Sequence, residues 1–127
     1  MADRFRAATC AGRSMEPAIP AGTPVVVDTW WESMRAGDVV CFTDAVDGTW
    51  TLHRVLARFR LGPIRFLVQA PESAGAAGIL PEDRVVGIVR GAIVDYRRPV
   101  RARERWLAAR TILRYLARRA LRGRGGP

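Results

Sequence analysis

The sequence predicts a mainly β domain followed by one C-terminal amphipathic helix, and three observations carry this prediction. Before Pro99, short Val-rich runs alternate with Gly, Pro and Asp, which is typical of short strands joined by turns. After Pro99, apolar residues recur every three or four positions among arginines, which is typical of a helix. The length of 127 residues suits one domain and a tail. We therefore expect a β domain over residues 1–98 and an Arg-rich helix with a flexible tail over residues 99–127.

The first part of the chain contains five predicted strands, separated by turn signals. The strands are Pro24–Asp28, 38–43, the run TWTLHRVLARF, 64–69 and 84–94, the last one bent at Gly87 or Gly91. The turns are Ala36-Gly37, a hairpin at Asp47-Gly48, and Gly62-Pro63. Residues 71–81 are predicted to form a loop. Several short strands with regular turns favour a small β-barrel or sandwich.

The C-terminal helix is predicted from its ends and its periodicity. Pro99 suits the first helical turn, and Gly123 suits a position just past the end. At 100° per residue, one face collects Trp106, Ala109, Leu113, Leu116, Ala117 and Ala120. The arginines flank and oppose this face. The helix would be about 34 Å long.

Composition excludes several kinds of chemistry. The net charge is +9, and all 21 basic residues are arginine. A lysine general base is therefore excluded, because arginine stays protonated. One His and two Cys are too few for a His-rich or four-ligand metal site. We expect no metal or cofactor, and unpaired thiols at Cys10 and Cys41.

Targeting signals are weak in this sequence. No apolar run approaches the ~18 residues of a membrane-spanning helix. The N-terminal residues lack the apolar core of a secretory signal. The expected location is therefore the cytoplasm. If the helix binds lipid, the protein would lie peripherally at the membrane surface.

The segment Ser14-Met15-Glu16-Pro17 suggests nucleophilic chemistry. A serine hydroxyl is a poor nucleophile unless a base takes its proton. In a chain without lysine, His53 is the familiar base that works near neutral pH. Alternation along its strand puts Thr51, His53 and Val55 on one face, so His53 is able to point into a cleft.

Four motifs occur in order along the chain: SMEP at 14–17, GDVV at 37–40, LHRVL at 52–56 and EDRVVGIV at 82–89. On these motifs the chain resembles the signal peptidase I-like serine peptidases over roughly residues 11–94. It looks like the branch, found in the endoplasmic reticulum, archaea and some Gram-positive bacteria, that has His in place of the catalytic Lys. The resemblance implies Ser14 as nucleophile, His53 as general base and an extended peptide or protein substrate. Gly12, Arg13 and Met15, beside the nucleophile, are expected to bind that substrate.

Two positions depart from the family pattern. The His branch usually carries an Asp that orients the His, whereas this chain offers only Glu72 near the expected place, as orienting acid or as a solvated loop residue. The hydroxyl residue that often precedes the nucleophile by two positions is Gly12 here, and one missing oxyanion donor costs ~2.7–4 kcal/mol. Asp38 and Asp83 are expected to be structural. Cys10 is expected to line the cleft without a catalytic role.

The functional alternatives come from these departures and from the helix. The leading hypothesis is a serine endopeptidase, and a catalytically decayed peptidase-like binding module is the second. A nucleic-acid-binding regulator is the third, and it is disfavoured because no separate DNA-binding domain fits within 13 residues. With 13 residues before Ser14, we also expect the N-terminal membrane anchor of these peptidases to be missing. Residues 99–122 would then bind an anionic membrane surface in its place, or pack on the domain or a partner.

Overall fold

The computed structural model describes residues 4–43, 48–72, 76–91 and 95–124. They form one antiparallel sheet of seven strands and one C-terminal helix. The strands are β1 (Phe5–Thr9), β2 (Pro24–Asp28), β3 (Val39–Thr43), β4 (Trp50–Leu61), β5 (Ile64–Ala70), β6 (Gly78–Pro81) and β7 (Val85–Arg90). A 3-10 turn, Glu82–Arg84, precedes β7, and the helix α1 covers Ala102–Arg124.

The strand order across the sheet is β1-β2-β7-β3-β4-β5-β6. The last strand in the chain is inserted between β2 and β3, so residues distant in sequence become neighbours in the sheet. Strands β1 and β6 are its edges, and the sheet formed by the described residues is not closed. The mainly β class is therefore confirmed, whereas the barrel, one of the expected architectures, is not formed by the described residues.

Four of the predicted strands match β2, β3, β4 and β5 closely, and two observed strands were not predicted. The unpredicted strand β6 has four residues and lies within the segment expected to be a loop. The predicted final strand is shorter than expected, because β7 ends at Arg90; positions 92–94 lie outside the described residues. Asp47 of the predicted hairpin turn also lies outside them.

Gly87 allows two strands to approach closely, a different role from the predicted bend. A Cβ at this position would lie 2.3 Å from the backbone oxygen of Asp28 on β2 and 2.7 Å from a side-chain carbon of Val27. Such distances are far inside van der Waals contact. Glycine at this position therefore lets β7 sit directly against β2.

Apolar side chains cover both faces of the sheet. On β3, Val39 and Cys41 belong to one buried cluster, whereas Val40 and Phe42 belong to a second, as strand alternation requires. The first cluster also includes Met15, Ile19, Val25, Val27, Leu52 and Val89. The second includes Met34, Val55, Leu67, Leu80, Val85 and Ile88. Two-sided burial explains why the central strands are almost continuously apolar.

Helix α1 packs on β4, β5 and β6 through one face. Ala108 is buried against the sheet, with Leu107 and Ile112 partly buried around it. The Tyr115 ring lies 5.5 Å from that of Phe66 and 6.1 Å from that of Phe59, measured between centroids. Of the helices formed by the described residues, none is both long and apolar enough to cross a lipid bilayer.

Candidate functional site

Ser14 lies in a compact series of turns between β1 and β2. The N–H of Glu16 donates to the backbone oxygen of Arg13 at 3.0 Å, and the N–H of Ile19 donates to that of Met15 at 2.8 Å. The Met15 and Ile19 side chains are fully buried in the first core cluster. They fix the turn to the domain and leave Ser14 half-buried at its rim. Complete burial of Met15 corrects the expectation that it binds substrate.

A cleft of about 250 Å³ separates the C-terminal end of β1 from the first residues of β4. Its walls are Ala8, Thr9, Cys10, Ala11, Gly12, Ser14, Trp50, Thr51 and Leu52. The guanidinium of Arg6 on β1 stacks over the Trp50 ring at 5.1 Å, so contacts join β1 to the start of β4. The fold therefore brings Ser14 and Gly12 to the segment of β4 that immediately precedes His53.

His53 lies on β4 opposite Val40 of β3, and its half-buried ring meets the Phe42 ring edge-on with centroids 5.6 Å apart. Thr51 shares this face of the strand, whereas Leu52 belongs to the cluster on the other face. The cleft is lined by both Thr51 and Leu52. It thus reaches the edge of β4 next to His53, which is not itself among its lining residues.

The partner of the His53 ring is Gln69 on β5, which the sequence analysis did not single out. The His53 Nδ1 and Gln69 Oε1 atoms are hydrogen-bonded. A carboxamide oxygen only accepts, so this bond requires a proton on Nδ1 and leaves the lone pair on Nε2. Gly78 of β6 lies opposite Gln69. A Cβ at position 78 would lie 2.8 Å from the Nε2 atom of Gln69. The missing side chain at Gly78 leaves room for the Gln69 carboxamide.

The environment favours the neutral form of His53. Burial lowers the pKa of the imidazole below its ordinary value of 6.5, and the hydrogen bond to Gln69 offsets part of that effect. The uncharged tautomer with a free lone pair on Nε2 is the form that a general base needs.

Glu72 lies away from His53, in a buried cluster of charges. Its carboxylate accepts hydrogen bonds from Arg54 at 3.0 and 3.3 Å and from Arg98 at 2.8 and 3.0 Å. Arg54 directly follows His53 on β4, so the two side chains point to opposite faces. This placement corrects the expectation that Glu72 orients His53. It equally corrects the solvated-loop alternative, since the Glu72 side chain is only 5% exposed.

The charges around Glu72 join the sheet to the start of α1. Arg98 also donates to Glu104 at 2.7 and 2.9 Å, and Arg54 donates to the backbone oxygens of Gly37, at 2.9 Å, and Tyr96. We refer to Arg54, Glu72, Arg98 and Glu104 as the Glu72 cluster. Burial alone would raise the pKa of Glu72, but the hydrogen bonds from Arg98 and Arg54 outweigh it and hold the pKa at about 2.

The two aspartates expected to be structural both lie in the segments that lead into strands. The Asp38 carboxylate accepts from the backbone N–H of Arg35 at 2.8 Å and pairs with Arg97 at 2.5 Å. It therefore holds the turn before β3. Asp83 is exposed in the 3-10 turn before β7.

The remaining candidates differ in access to the cleft. Arg13 is exposed and forms a 3.6 Å ion pair with Glu16. Cys10 lines the cleft, but burial raises the pKa of its thiol, which disfavours the reactive thiolate. Burial likewise raises the pKa of Cys41 to about 12. Both cysteines are buried free thiols.

Within the described ranges, no three His, Cys, Asp or Glu side chains come together as a metal site would require. Comparison of the chain with protein-family models, with curated proteins and with solved structures finds no match. Functional inference therefore rests on the residues of this chain and their geometry.

Proposed function

We propose that the protein is a serine endopeptidase of the signal-peptidase-like class, with Ser14 as nucleophile and His53 as general base. The observation that carries the proposal is the cleft at the edge of β4. One wall holds Ser14, and another belongs to the strand with the only histidine of the chain. The four ordered sequence motifs support the same assignment.

In the proposed mechanism, Gln69 holds the proton on His53 Nδ1, so that Nε2 is left to accept the proton of Ser14. Nε2 takes the proton of Ser14 Oγ as that oxygen attacks the peptide carbonyl, and later delivers it to the leaving amine. Water then hydrolyses the acyl-enzyme by the same exchange. Gln69 orients the ring without supplying the negative charge with which a carboxylate stabilises the imidazolium.

The borders of the cleft favour an extended peptide as substrate. Within the described residues, strand β1 pairs only with β2, and β5 pairs with β4 from Arg54 onward. One side of Trp50–His53 is therefore left without a neighbouring strand from this part of the chain. Backbone groups at both borders are therefore positioned to bind a peptide as an added strand. The volume of about 250 Å³ is below the ~300–1,000 Å³ of typical ligand pockets, which favours short side chains near the cleaved bond.

A peptide-library cleavage assay tests the proposal. The purified protein is incubated at neutral pH with a defined pool of unstructured peptides, and new termini are read by mass spectrometry. Ser14→Ala should lose roughly 10⁶-fold in rate, as loss of the nucleophile does in other serine hydrolases. Ser33→Ala, a matched change at an exposed serine, should cleave normally. Undiminished cleavage by Ser14→Ala would overturn the assignment.

A catalytically decayed peptide-binding module is the second candidate. It is favoured by the neutral partner of His53 and by Gly12, which supplies no side-chain oxyanion donor. In that case the wild type and Ser14→Ala would bind the same peptides equally. Neither would cleave them, and a serine-directed phosphonate probe would label neither protein.

A further inference from the structure

The face of α1 that points away from the sheet carries an unpartnered apolar stripe. Trp106 is 78% exposed and Leu113 is 67% exposed. At 100° per residue they lie diametrically opposite Ala108 and Tyr115, which pack on the sheet. We define the outer face of α1 as Trp106, Ala109, Leu113, Ala117 and Ala120. Each of these residues is exposed.

Arginines border this stripe. Arg103, Arg110 and Arg114 line a shallow groove of about 580 Å³ together with Trp106 and Leu113. Helix α1 contains eight arginines and a single acidic residue, Glu104. Glu104 is engaged by Arg98 within the Glu72 cluster. The outer face is thus apolar along its centre, and Arg103, Arg110 and Arg114 border it on one side.

We propose that the outer face of α1 binds the surface of an anionic lipid membrane. An apolar stripe bordered by arginines suits the boundary between headgroups and acyl chains, where Trp106 and Leu113 leave water and the guanidiniums meet lipid phosphates. The inner face is already fixed to the sheet, so the helix is ordered before binding. From Trp106 to Ala120, over about 21 Å, it presents one continuous surface to the bilayer.

Charge disfavours the competing occupants. A second copy placed face to face would bring two sets of arginines together around the same stripe, and like charges repel. A nucleic acid would use the arginines but leave the Trp106 and Leu113 side chains exposed to water. An anionic lipid surface satisfies both features of the outer face, and this inference is independent of the proposed peptidase activity.

Vesicle co-sedimentation of the full chain tests the proposal. Vesicles of phosphatidylcholine alone are compared with vesicles containing phosphatidylglycerol, at low and at high salt. Binding should require the anionic lipid and should weaken as salt is added, because the headgroup charge is screened. Tryptophan fluorescence should shift to the blue on binding, and that shift should vanish in Trp106→Ala.

Matched variants separate the outer face from the rest of the surface. Trp106→Ala should weaken binding about tenfold, whereas Trp30→Ala, at another exposed tryptophan, should not. Replacing Arg110 and Arg114 by Gln should weaken binding about 30-fold, at about fivefold for each charge. The control variant carries Arg60→Gln and Arg65→Gln, which remove the same amount of charge. Phe59 and Phe66 face α1 through Tyr115, and the neighbouring pair Arg60 and Arg65 therefore points to the opposite face of the β4–β5 hairpin. That control should cost less than threefold.

Three outcomes would overturn the proposal. The first is equal binding to neutral and anionic vesicles, or no binding to either. The second is salt-dependent binding to duplex DNA that survives Trp106→Ala, which would assign the face to nucleic acid. The third is a dimer in analytical ultracentrifugation that Trp106→Ala converts to monomer, which would assign it to a second copy of the chain.

Discussion

Gln69 is the residue whose chemistry most affects the proposed base. Its carboxamide oxygen accepts from His53 Nδ1 and so selects the tautomer of the ring. A carboxylate in the same position would select the same tautomer and also favour the charged imidazolium. The identity of residue 69 should therefore set the pKa of His53.

Because the chain has one histidine, an NMR titration of the imidazole nitrogens measures this effect directly and without any substrate. Gln69→Glu should raise the pKa of His53 by roughly 1–3 units, as an opposite charge in contact does. Gln69→Leu should lower the pKa, since the present hydrogen bond raises it. Glu32→Gln, at an exposed carboxylate, should leave it unchanged. A titration insensitive to residue 69 would contradict the contact.

The pH dependence of cleavage follows from the protonation of His53. The base must be neutral, so the rate should fall as the solution is acidified through the pKa of His53, with a midpoint below 6.5 because burial lowers that pKa. The midpoint should equal the value from the NMR titration. His53→Gln should reduce the rate about 10²–10⁴-fold. An acid limb that persists in His53→Gln would assign the base to another group.

Sequence reasoning proposed Ser14 and His53, and it chose the wrong partner for the His53 ring. Glu72 was the expected partner of His53 because an acid usually orients the His in the peptidases that the chain resembles, and Glu72 lies near the corresponding position. Pairing of β4 with β5 decides otherwise: Gln69 stands opposite Val55, on the His53 face, and Ala70 stands opposite Arg54. The pairing register of β4 and β5 depends on tertiary structure, so local sequence patterns could not predict it.

At the scale of elements, strands with a Val-rich or long apolar run were predictable, whereas β1 and β6 were not. Strands β1 and β2 both have five residues, but only β2 has a Val-rich run. Strand β4 has twelve residues bounded by turn signals, whereas β6 has four residues, Gly78–Pro81, inside a Gly- and Ala-rich stretch. Short strands owe their conformation to the neighbour they pair with. The open order of the sheet likewise depends on the insertion of β7 between β2 and β3, which local patterns do not encode.

The close approach of β7 to β2 gives an element-scale prediction. Gly87→Ala should destabilise the domain by about 1–3 kcal/mol, because the new methyl group would overlap the backbone of Asp28. Gly123→Ala, in the last turn of α1 with open space around it, should be neutral or stabilising by up to about 1 kcal/mol. Urea denaturation of the two variants measures both effects. Equal stability would show that β7 and β2 are less closely packed.

At the scale of the whole molecule, the Glu72 cluster joins the sheet to the helix. Removing one partner of a buried ion pair leaves an uncompensated charge, so Glu72→Ala should cost about 3–5 kcal/mol. Glu16→Ala, at an exposed pair with Arg13, should cost at most about 1 kcal/mol. Thermal or urea denaturation distinguishes the two. A Glu72→Ala protein as stable as Glu16→Ala would contradict the importance of the cluster.

The cluster also predicts acid sensitivity. The folded pKa of Glu72, about 2, lies below its ordinary value of 4.5. The unfolded chain therefore binds more protons between these values, and stability falls as the pH is lowered. The contribution of Glu72 should be complete above about pH 4.5 and lost as the pH falls through 2. Denaturation between pH 6 and pH 2 should show this decline in the wild type, and a smaller one in Glu72→Gln.

Protonation of Glu72 should weaken the attachment of α1 to the sheet. When Glu72 is protonated, Arg54 and Arg98 remain charged and close together, and their repulsion acts between β4 and the segment leading into α1. The helix would then detach while the strands stay paired, as a separate cooperative unit. In hydrogen exchange near pH 2, where Glu72 becomes protonated, amides of α1 should lose protection before those of β3 and β7. The outer face of the helix would thereby become free to move relative to the cleft.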